Sequence, residues 1–219
     1  MTGFFTVVSK EFKGFAGSEK GAFAVYGILV TVWSFLLASG DSAAASGPFL
    51  FIFFSAIIAA NFSNTVFISE RMSGSLEILL TSGLSRDAVL FGKMVFIIIV
   101  TIIIGVACAA LAYVWNSLFA AYYSDLELGL YDLVFYCSAT FLNAAGSAYF
   151  SVRLNSPRLL HFLNLFVLGV VMIIYSVVSY FWVVEMWALV VMLLIPATVL
   201  TLLARKQFAG ERIIQPLIL

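Results

Sequence analysis

The stretch MVFIIIVTIIIGVACAALAYVW occupies residues 94–115 and contains no charged side chain. Its length matches the roughly 20 residues that an α-helix needs to cross the hydrocarbon core of a bilayer. The run is continuously apolar, whereas a membrane β-strand alternates in polarity over about ten residues. The sequence therefore predicts a transmembrane helix here and an all-α fold.

The composition places the rest of the chain in the same environment. Of the 219 residues, 63% are hydrophobic and 10% are charged, whereas a soluble domain is about half apolar and a quarter charged. The formal net charge is zero, so the total charge gives no indication of nucleic acid or another charged partner. We expect a polytopic membrane protein that does not bind nucleic acid.

Five further apolar runs bring the number of predicted transmembrane helices to six, at residues 21–37, 48–68, 94–115, 130–152, 161–182 and 186–204. The first run precedes Ala43, Ala44 and Ala45 and so also fits a cleaved signal peptide. We expect it to be retained as a span.

The basic residues indicate the orientation. All eleven Lys and Arg residues lie before the first span, after the last, or in the loops that follow the second and fourth spans. The charged residues predicted on the opposite side are all acidic, namely Asp41, Asp125, Glu127, Asp132 and Glu185. By the positive-inside rule, both termini are predicted to be cytoplasmic in a plasma membrane, the inner membrane of a bacterium.

The segment SERMSGSLEILLTSGLSRDAVLFGK, residues 69–93, is a polar interval between the second and third predicted spans. Gly74 and Ser75 can begin a helix, with Glu77 in its first turn and Gly83 at its end. One face of this helix is an apolar stripe of Leu76, Leu79 and Leu80. An isolated helix of about two turns is unstable in water, so either its own bundle, the lipid or a partner protein must cover the stripe.

A second helix is predicted directly after it. Ser85 is placed as the N-cap and Asp87 lies in the first turn, and the helix continues through Lys93 into the third span.

The residues of this interval carry a family resemblance. Glu70-Arg71-Met72-Ser73-Gly74-Ser75-Leu76-Glu77-Ile78-Leu79-Leu80-Thr81, followed by Ser85 and Gly92-Lys93, resembles the cytoplasmic signature of type 2 ABC-transporter permeases. In that family, an acidic-basic pair ends the second span and precedes Gly-Thr/Ser-Leu/Ile-Glu and paired leucines. The family usually has proline where this chain has Gly83, a difference that concerns helix termination.

The resemblance implies a mechanical role for residues 75–82. In such permeases the matching segment is the coupling helix that sits in a groove of a separate cytoplasmic ABC ATPase, which binds ATP and Mg²⁺. The residues implied in coupling are Glu70, Arg71, Gly74, Ser75, Leu76, Glu77, Leu79 and Leu80. A second permease, identical or homologous, is also implied. The small size is most similar to the compact, gliding-motility-like branch of these exporters.

The flanking segments complete the predicted organisation. Residues 1–20 are predicted to form an amphipathic interfacial segment, with apolar residues at helical spacing and charged residues between them. The apolar residues are Phe4, Phe5, Val8, Phe12 and Phe15, and the charged ones are Lys10, Glu11 and Lys13. The transmembrane domain covers residues 21–204, with the coupling loop at 69–93, and residues 205–219 form a cytoplasmic tail.

The chain contains no recognisable catalytic motif. Gly92-Lys93 is followed by Met94 and lacks the first glycine of a phosphate-binding loop, and neither metal-ligand nor nucleophile patterns occur. We expect a non-catalytic subunit without a metal or a cofactor of its own.

Polar residues inside the spans offer candidates for a transport path. Asn61, Asn64 and Asn143 are predicted to line the translocation path or a dimer contact, because amides in lipid must face protein or water. Hydrogen bonding between helices is the alternative role. Two other functions stay open, namely an ion-coupled secondary transporter, although no ionisable group lies near the middle of a span, and a non-transporting scaffold that transmits ATP-driven motion.

Overall fold

The computed structural model describes residues 2–17, 20–39, 46–74, 83–119, 126, 128–154, 156–181, 185 and 187–209. Within these ranges the regular structure is entirely helical, which confirms the all-α prediction. The helices are α1 (Thr2–Gly17), α2 (Lys20–Ser39), α3 (Ser46–Ser63), α4 (Arg86–Leu118), α5 (Leu130–Ser151), α6 (Pro157–Phe181) and α7 (Trp187–Ala209). Helix α3 continues through a π-helical segment, Asn64–Ser69, and a last turn, Glu70–Met72.

Within the part of the chain that the structure describes, four helices are long and apolar enough to cross a membrane. Their apolar ranges are Leu50–Met72, Arg86–Leu118, Pro157–Phe181 and Trp187–Phe208. In α2 the apolar stretch that the structure describes is shorter, at Phe23–Ser39. Helix α5 has 22 residues but is rich in Ser, Thr, Asn and Gly. The predicted count of six spans therefore has structural support for four, and α2 and α5 remain predicted spans.

Helix α5 is the centre of the bundle. It contacts α3, α4, α6 and α7, and its middle residues are buried almost without interruption from Phe135 to Ala148. The small residues in this stretch let neighbouring helices approach closely, which is how membrane helices gain packing energy without a hydrophobic driving force from water. At the close approach of α4 to α5, a Cβ atom on Gly105 would lie 2.3 Å from the Tyr136 ring.

Contacts between helices occur at both ends of the bundle. At one end, which we call the Lys93 end, α1 packs beside the end of α3 and the start of α4, and Asn64 of α3 contacts His161 near the start of α6. At the other end, which we call the Trp115 end, the Trp115 indole of α4 donates a hydrogen bond to the Ser34 hydroxyl of α2 over 3.1 Å. Successive helices from α2 to α4 therefore run antiparallel.

The start of α4 is as predicted from the sequence. Ser85 is the N-cap, with extended backbone angles, and its hydroxyl accepts a hydrogen bond from the Ala88 amide over 3.2 Å. Asp87 lies in the first turn, where a negative charge favours the helix N-terminus. Gly74 and Gly83, which flank residues 75–82, have φ angles of +72° and +80°, a region that glycine enters without steric cost.

The π-helical segment at the end of α3 was not predicted. Single π-turns inside α-helices change the direction of the following side chains and often occur at functional sites. Here the segment buries three consecutive residues, Val66, Phe67 and Ile68, and directly precedes Glu70. Glu70 and Arg71, which follow this segment, contact different neighbours, as described next.

Candidate functional site

A buried ion cluster joins three helices at the Lys93 end. The Lys93 ammonium of α4 lies 2.9 Å from Oε1 of Glu11 in α1 and 2.5 Å from Oε2 of Glu70 at the end of α3. Lys10 of α1 lies 2.5 Å from Oε1 of Glu70. We call these four residues the Lys93 cluster. They connect the N-terminal helix to both helices that flank the predicted coupling segment.

The ammonium of Lys93 is fully satisfied. Its Nζ donates to the two carboxylates and, over 2.8 Å, to the backbone carbonyl of Val66 in the π-helical segment. Three acceptors match the three N–H donors of a lysine. The Phe67 ring adds a cation–π contact, with its centroid 5.9 Å from Nζ. Such complete pairing is what a lysine with 0% exposure requires.

The charges of the cluster balance. Two lysines face two glutamates, and exposure increases outward from Lys93 at 0%, through Glu11 at 9% and Glu70 at 16%, to Lys10 at 44%. Taking a charge out of water costs several kcal/mol, so a buried pair is stable only while each member keeps its partner. The buried core of the cluster, Lys93 with Glu11 and Glu70, is therefore a connection that fails if one of these three members is removed.

The position of Glu11 differs from the sequence analysis. The amphipathic pattern placed Lys10, Glu11 and Lys13 between apolar positions, but the structure buries Glu11 together with Val7, one turn earlier on the same face of α1. Phe5, expected on the apolar stripe, is 67% exposed. The reason is that α1 packs against α4, so its buried face includes Val7 and Glu11, opposite Gly92 and Lys93. Phe12 and Phe15 also pack against the core.

Gly92 makes this contact possible. A Cβ atom at this position would lie 2.9 Å from the Cβ atom of Val7 and 3.4 Å from the Phe4 carbonyl oxygen. Only glycine allows the backbones of α1 and α4 to come this close. The Gly92-Lys93 pair of the sequence signature is thus the docking point of α1, with Gly92 allowing approach and Lys93 binding Glu11.

Arg71 connects the end of α3 to the C-terminal end of α5. Its guanidinium donates to the carbonyl oxygens of Ser151 over 2.8 Å and Leu154 over 3.4 Å. Ser151 is the last residue of α5, where carbonyls lack partners within the helix, and Leu154 lies just beyond it. Arg71 therefore caps α5, while Glu70, its neighbour in sequence, binds α1 and α4.

A second charged contact joins α7 to the start of α4. Arg205 makes a two-pronged contact with Asp87, with Nε 3.1 Å from Oδ1 and Nη2 2.7 Å from Oδ2. The two side chains are 55% and 46% exposed. An ion pair open to water contributes little to stability.

This difference predicts unequal effects of removing the two arginines. Arg71→Met should destabilise the protein by about 1–3 kcal/mol, because it leaves carbonyls at the end of α5 unpaired. Arg205→Met, the matched control, should change the unfolding free energy much less. SDS titration of the detergent-solubilised protein measures both. Equal effects would contradict the capping role of Arg71.

The predicted coupling residues divide into two groups. Glu70, Arg71 and Gly74 are described, and both charged side chains are anchored to helices of the bundle. Five others, Ser75, Leu76, Glu77, Leu79 and Leu80, lie outside the described residues. Their role in coupling stays a prediction.

The three predicted path asparagines make hydrogen bonds within the chain. Asn61 donates to the Ile57 carbonyl of its own helix over 3.0 Å, and Asn64 contacts His161 of α6. Asn143 is 1% exposed and donates to the Ala139 carbonyl over 2.9 Å, with Ser55 of α3 3.5 Å away. Asn64 and Asn143 thus connect helices in this conformation, and the structure leaves their role in transport untested.

Among the described residues, no three His, Cys, Asp or Glu side chains come together as metal ligands. The site consists of charge pairs and backbone contacts. It can hold helices together and transmit movement between them.

The sequence analysis missed the cluster as a unit. It included Glu70 but did not assign partners to Lys10, Glu11 or Lys93. The signal available for Lys93 was its place in the Gly92-Lys93 element of the signature. No local pattern marks Glu11, because a glutamate on an amphipathic helix is usually solvated.

The helices and the paired charges at one end of the bundle define a multi-pass helical membrane protein. More specifically, the chain belongs to the ABC-2 transporter family, because the family model described as "ABC-2 family transporter protein" matches residues 5–212. The predicted resemblance to type 2 ABC permeases is confirmed. A search of curated proteins found no significant match.

Proposed function

We propose that this chain is the permease subunit of an ATP-driven ABC exporter and that residues 75–82 dock onto a separate cytoplasmic ATPase. ATP and Mg²⁺ bind to that partner, and the present chain is non-catalytic. The family membership supports the membrane component of an ABC transporter. The observation that carries the proposal is the way in which the structure anchors both sides of the docking segment.

On the N-terminal side of residues 75–82, Glu70 is bound to α1 and α4, and Arg71 is bound to the end of α5. On the C-terminal side, Ser85 caps α4, and Asp87 binds Arg205 of α7. A force applied to the segment would therefore act on five helices at once. This arrangement suits transmission of movement as a rigid body more than local bending of a loop.

We infer a cycle in which this anchoring transmits the movement of the partner ATPase. ATP binding closes a pair of ATPase subunits, and the two docking segments convert closure into tilting of two permease bundles. Conformational change of this kind needs a difference in interaction energy between the two states. The second bundle is an identical or homologous permease, and the path lies between the two. Asn61, Asn64 and Asn143 remain candidates for this path or for the dimer contact.

The proposed topology has six crossings with both termini in the cytoplasm of a bacterial inner membrane. It is supported by the clustering of basic side chains at the Lys93 end. Among the described side chains there, Lys10, Arg71, Lys93 and Arg205 take part in contacts between helices. In this arrangement residues 1–20 lie at the cytoplasmic surface, residues 21–204 form the membrane domain, and residues 205–219 return to the cytoplasm.

Replacing Leu79 with aspartate tests the docking. We expect Leu79→Asp to reduce co-purification with the cognate ABC ATPase at least about tenfold, because burying an unpaired carboxylate in an apolar groove is strongly unfavourable. Thr81→Asp adds the same charge off the predicted leucine stripe and is the matched control. The measurement is the yield of candidate cytoplasmic ATPases that co-purify with each variant, with and without ATP.

The outcome distinguishes a leucine stripe that docks onto an ATPase from one that packs against its own helix bundle. If the leucines pack against their own bundle, Leu79→Asp lowers the unfolding stability of the isolated permease. If no candidate ATPase binds the intact chain under any nucleotide condition, the coupling proposal is wrong. Transport by the reconstituted complex then distinguishes an exporter from a scaffold that transmits motion without moving a substrate.

A further inference from the structure

A cavity with a polar end and an aromatic end lies beside the Lys93 cluster. Its volume is about 460 Å³, and it is formed by α1, α2, α3 and α4. Pockets for small organic ligands have volumes of about 300–1,000 Å³. The polar end contains Glu11 and Glu70, and the aromatic wall consists of Phe15, Tyr26, Phe62 and Phe96.

The charged side chains that line the cavity are acidic. The two glutamates line the cavity, whereas the two lysines of the cluster do not. The rim contains the hydroxyl groups of Thr65 and Ser69. An entering anion would meet carboxylates first. A cation would meet carboxylate oxygens and the faces of aromatic rings, which attract ammonium groups.

One carboxylate oxygen is available to such a cation. The contacts of Glu11 with Lys93 and Lys10 both use Oε1, at 2.9 Å and 3.8 Å. Within the part of the chain that the structure describes, Oε2 has neither a hydrogen bond nor an ion pair, although Glu11 is only 9% exposed. A carboxylate accepts several hydrogen bonds, and a buried one is stabilised by each charged donor.

The aromatic wall extends away from the charges. Phe62 precedes Glu70 across the π-helical segment Asn64–Ser69, so the cavity extends along the end of α3. Phe15 packs against Phe62 with ring centroids 5.2 Å apart, and Tyr26 stacks on Phe62 at 5.0 Å. Phe62 and Phe96 are 2% and 1% exposed, which makes the far end of the cavity apolar.

We propose that this cavity binds the ammonium head of an amphiphile, with the head against Oε2 of Glu11 and the apolar part against Phe15, Tyr26 and Phe62. A phospholipid with an amine head group and a free lipophilic amine share this chemistry. The site is separate from the proposed ATPase contact, so its failure would leave the coupling proposal unaffected.

Photolabelling of the full chain tests the proposal. The protein is placed in phosphatidylglycerol nanodiscs that contain a trace of phosphatidylethanolamine with a diazirine on one acyl chain. We expect labelled peptides from α1 and α3, and much weaker labelling by a phosphatidylglycerol probe with the same diazirine chain. Glu11→Gln should reduce the specific labelling about tenfold, the ratio that corresponds to loss of one charged hydrogen bond.

Two glycines of α1 supply a matched pair of variants. Gly14 lines the cavity, and a Cβ atom there meets no atom within 4 Å. Gly14→Phe should therefore fill the cavity without disturbing the helix and abolish specific labelling. Gly17 also has open space around its Cβ position but does not line the cavity. The Gly17→Phe variant should be labelled to the same extent as the unmodified protein.

A variant that increases binding excludes misfolding as the cause of the losses. Lys10→Gln removes an exposed ammonium that competes for the same carboxylates, so labelling should rise. If dodecylamine reduces labelling by the phosphatidylethanolamine probe, the site accepts any alkylammonium group. If dodecylamine does not reduce it, the site requires the phospholipid head group. Equal labelling by the two lipid probes, or equal labelling of the Gly14 and Gly17 variants, would overturn the proposal.

Discussion

Replacing Lys93 with methionine is expected to destabilise the folded protein by about 3–5 kcal/mol, the usual cost of removing one partner from a buried ion pair. The substitution keeps the length and apolar stem of the side chain but leaves Glu11 and Glu70 without the ammonium between them. Lys13→Met is the matched control, because Lys13 lies on the exposed face of α1. The free energy of unfolding from SDS titration measures both variants.

The same experiment has a second arm that separates stability from transmission. The triple variant Lys93→Met, Glu11→Gln, Glu70→Gln removes all buried charge of the cluster core. Neutral replacements of buried ion pairs are often tolerated or stabilising, so most of the lost stability should return. If the cluster transmits movement, ATP hydrolysis by the bound ATPase should nevertheless be uncoupled from the permease. Equal unfolding free energies for Lys93→Met and Lys13→Met would show that the cluster does not hold the fold together.

The helical architecture could be predicted because its cause is local. A run such as residues 94–115 fixes both its helical conformation and its environment, since a backbone in lipid must satisfy its own hydrogen bonds. Ser85 could be predicted as a cap for the same reason, because its hydroxyl and the Ala88 amide are neighbours in sequence. The π-helical segment at Asn64–Ser69 could not be predicted, because its apolar and polar residues are equally compatible with a continuous α-helix.

The cluster could be predicted only in part, because its pairing is long-range. Glu70 was identified from the signature, but its contact with Lys93 spans 23 positions, and that of Glu11 with Lys93 spans 82. Local periodicity cannot distinguish a buried, paired glutamate on α1 from a solvated one. The face that α1 buries is set by the gap at Gly92 on α4, a feature of a different segment.

The position of α1 gives it a role beyond that of a membrane anchor. An amphipathic helix held only by lipid would be free to shift when the bundle moves. Here Val7 packs on Gly92, and Glu11 is bound by Lys93, so α1 is fixed to α4 by a steric contact and an ion pair one turn apart. The cavity that we propose as a ligand site exists because α1 is held in this position.

Replacing Gly92 with alanine should release α1. The added Cβ atom would lie 2.9 Å from both Cβ and Cγ1 of Val7, and neither atom belongs to a flexible side-chain end. Overpacking of this kind costs about 1–3 kcal/mol, more than the gain of about 1 kcal/mol from replacing glycine in a helix. Gly27→Ala on α2, where a Cβ atom meets nothing within 4 Å, is the control and should show only the increase in stability from replacing a helical glycine. Trypsin cleavage after Lys10 and Lys13 should become faster in Gly92→Ala alone.

Removing the Val7 side chain in the Gly92→Ala variant tests whether the steric contact itself is the cause. Val7→Gly removes the two side-chain atoms that would lie 2.9 Å from the new Cβ, so the double variant Val7→Gly, Gly92→Ala should be more stable than the sum of the single changes by about 0.5–3 kcal/mol. Slow cleavage after Lys10 should return as Glu11 regains Lys93. Strict additivity, with fast cleavage in the double variant, would mean that α1 is positioned by the lipid surface and that the close approach at Gly92 has no part in holding it.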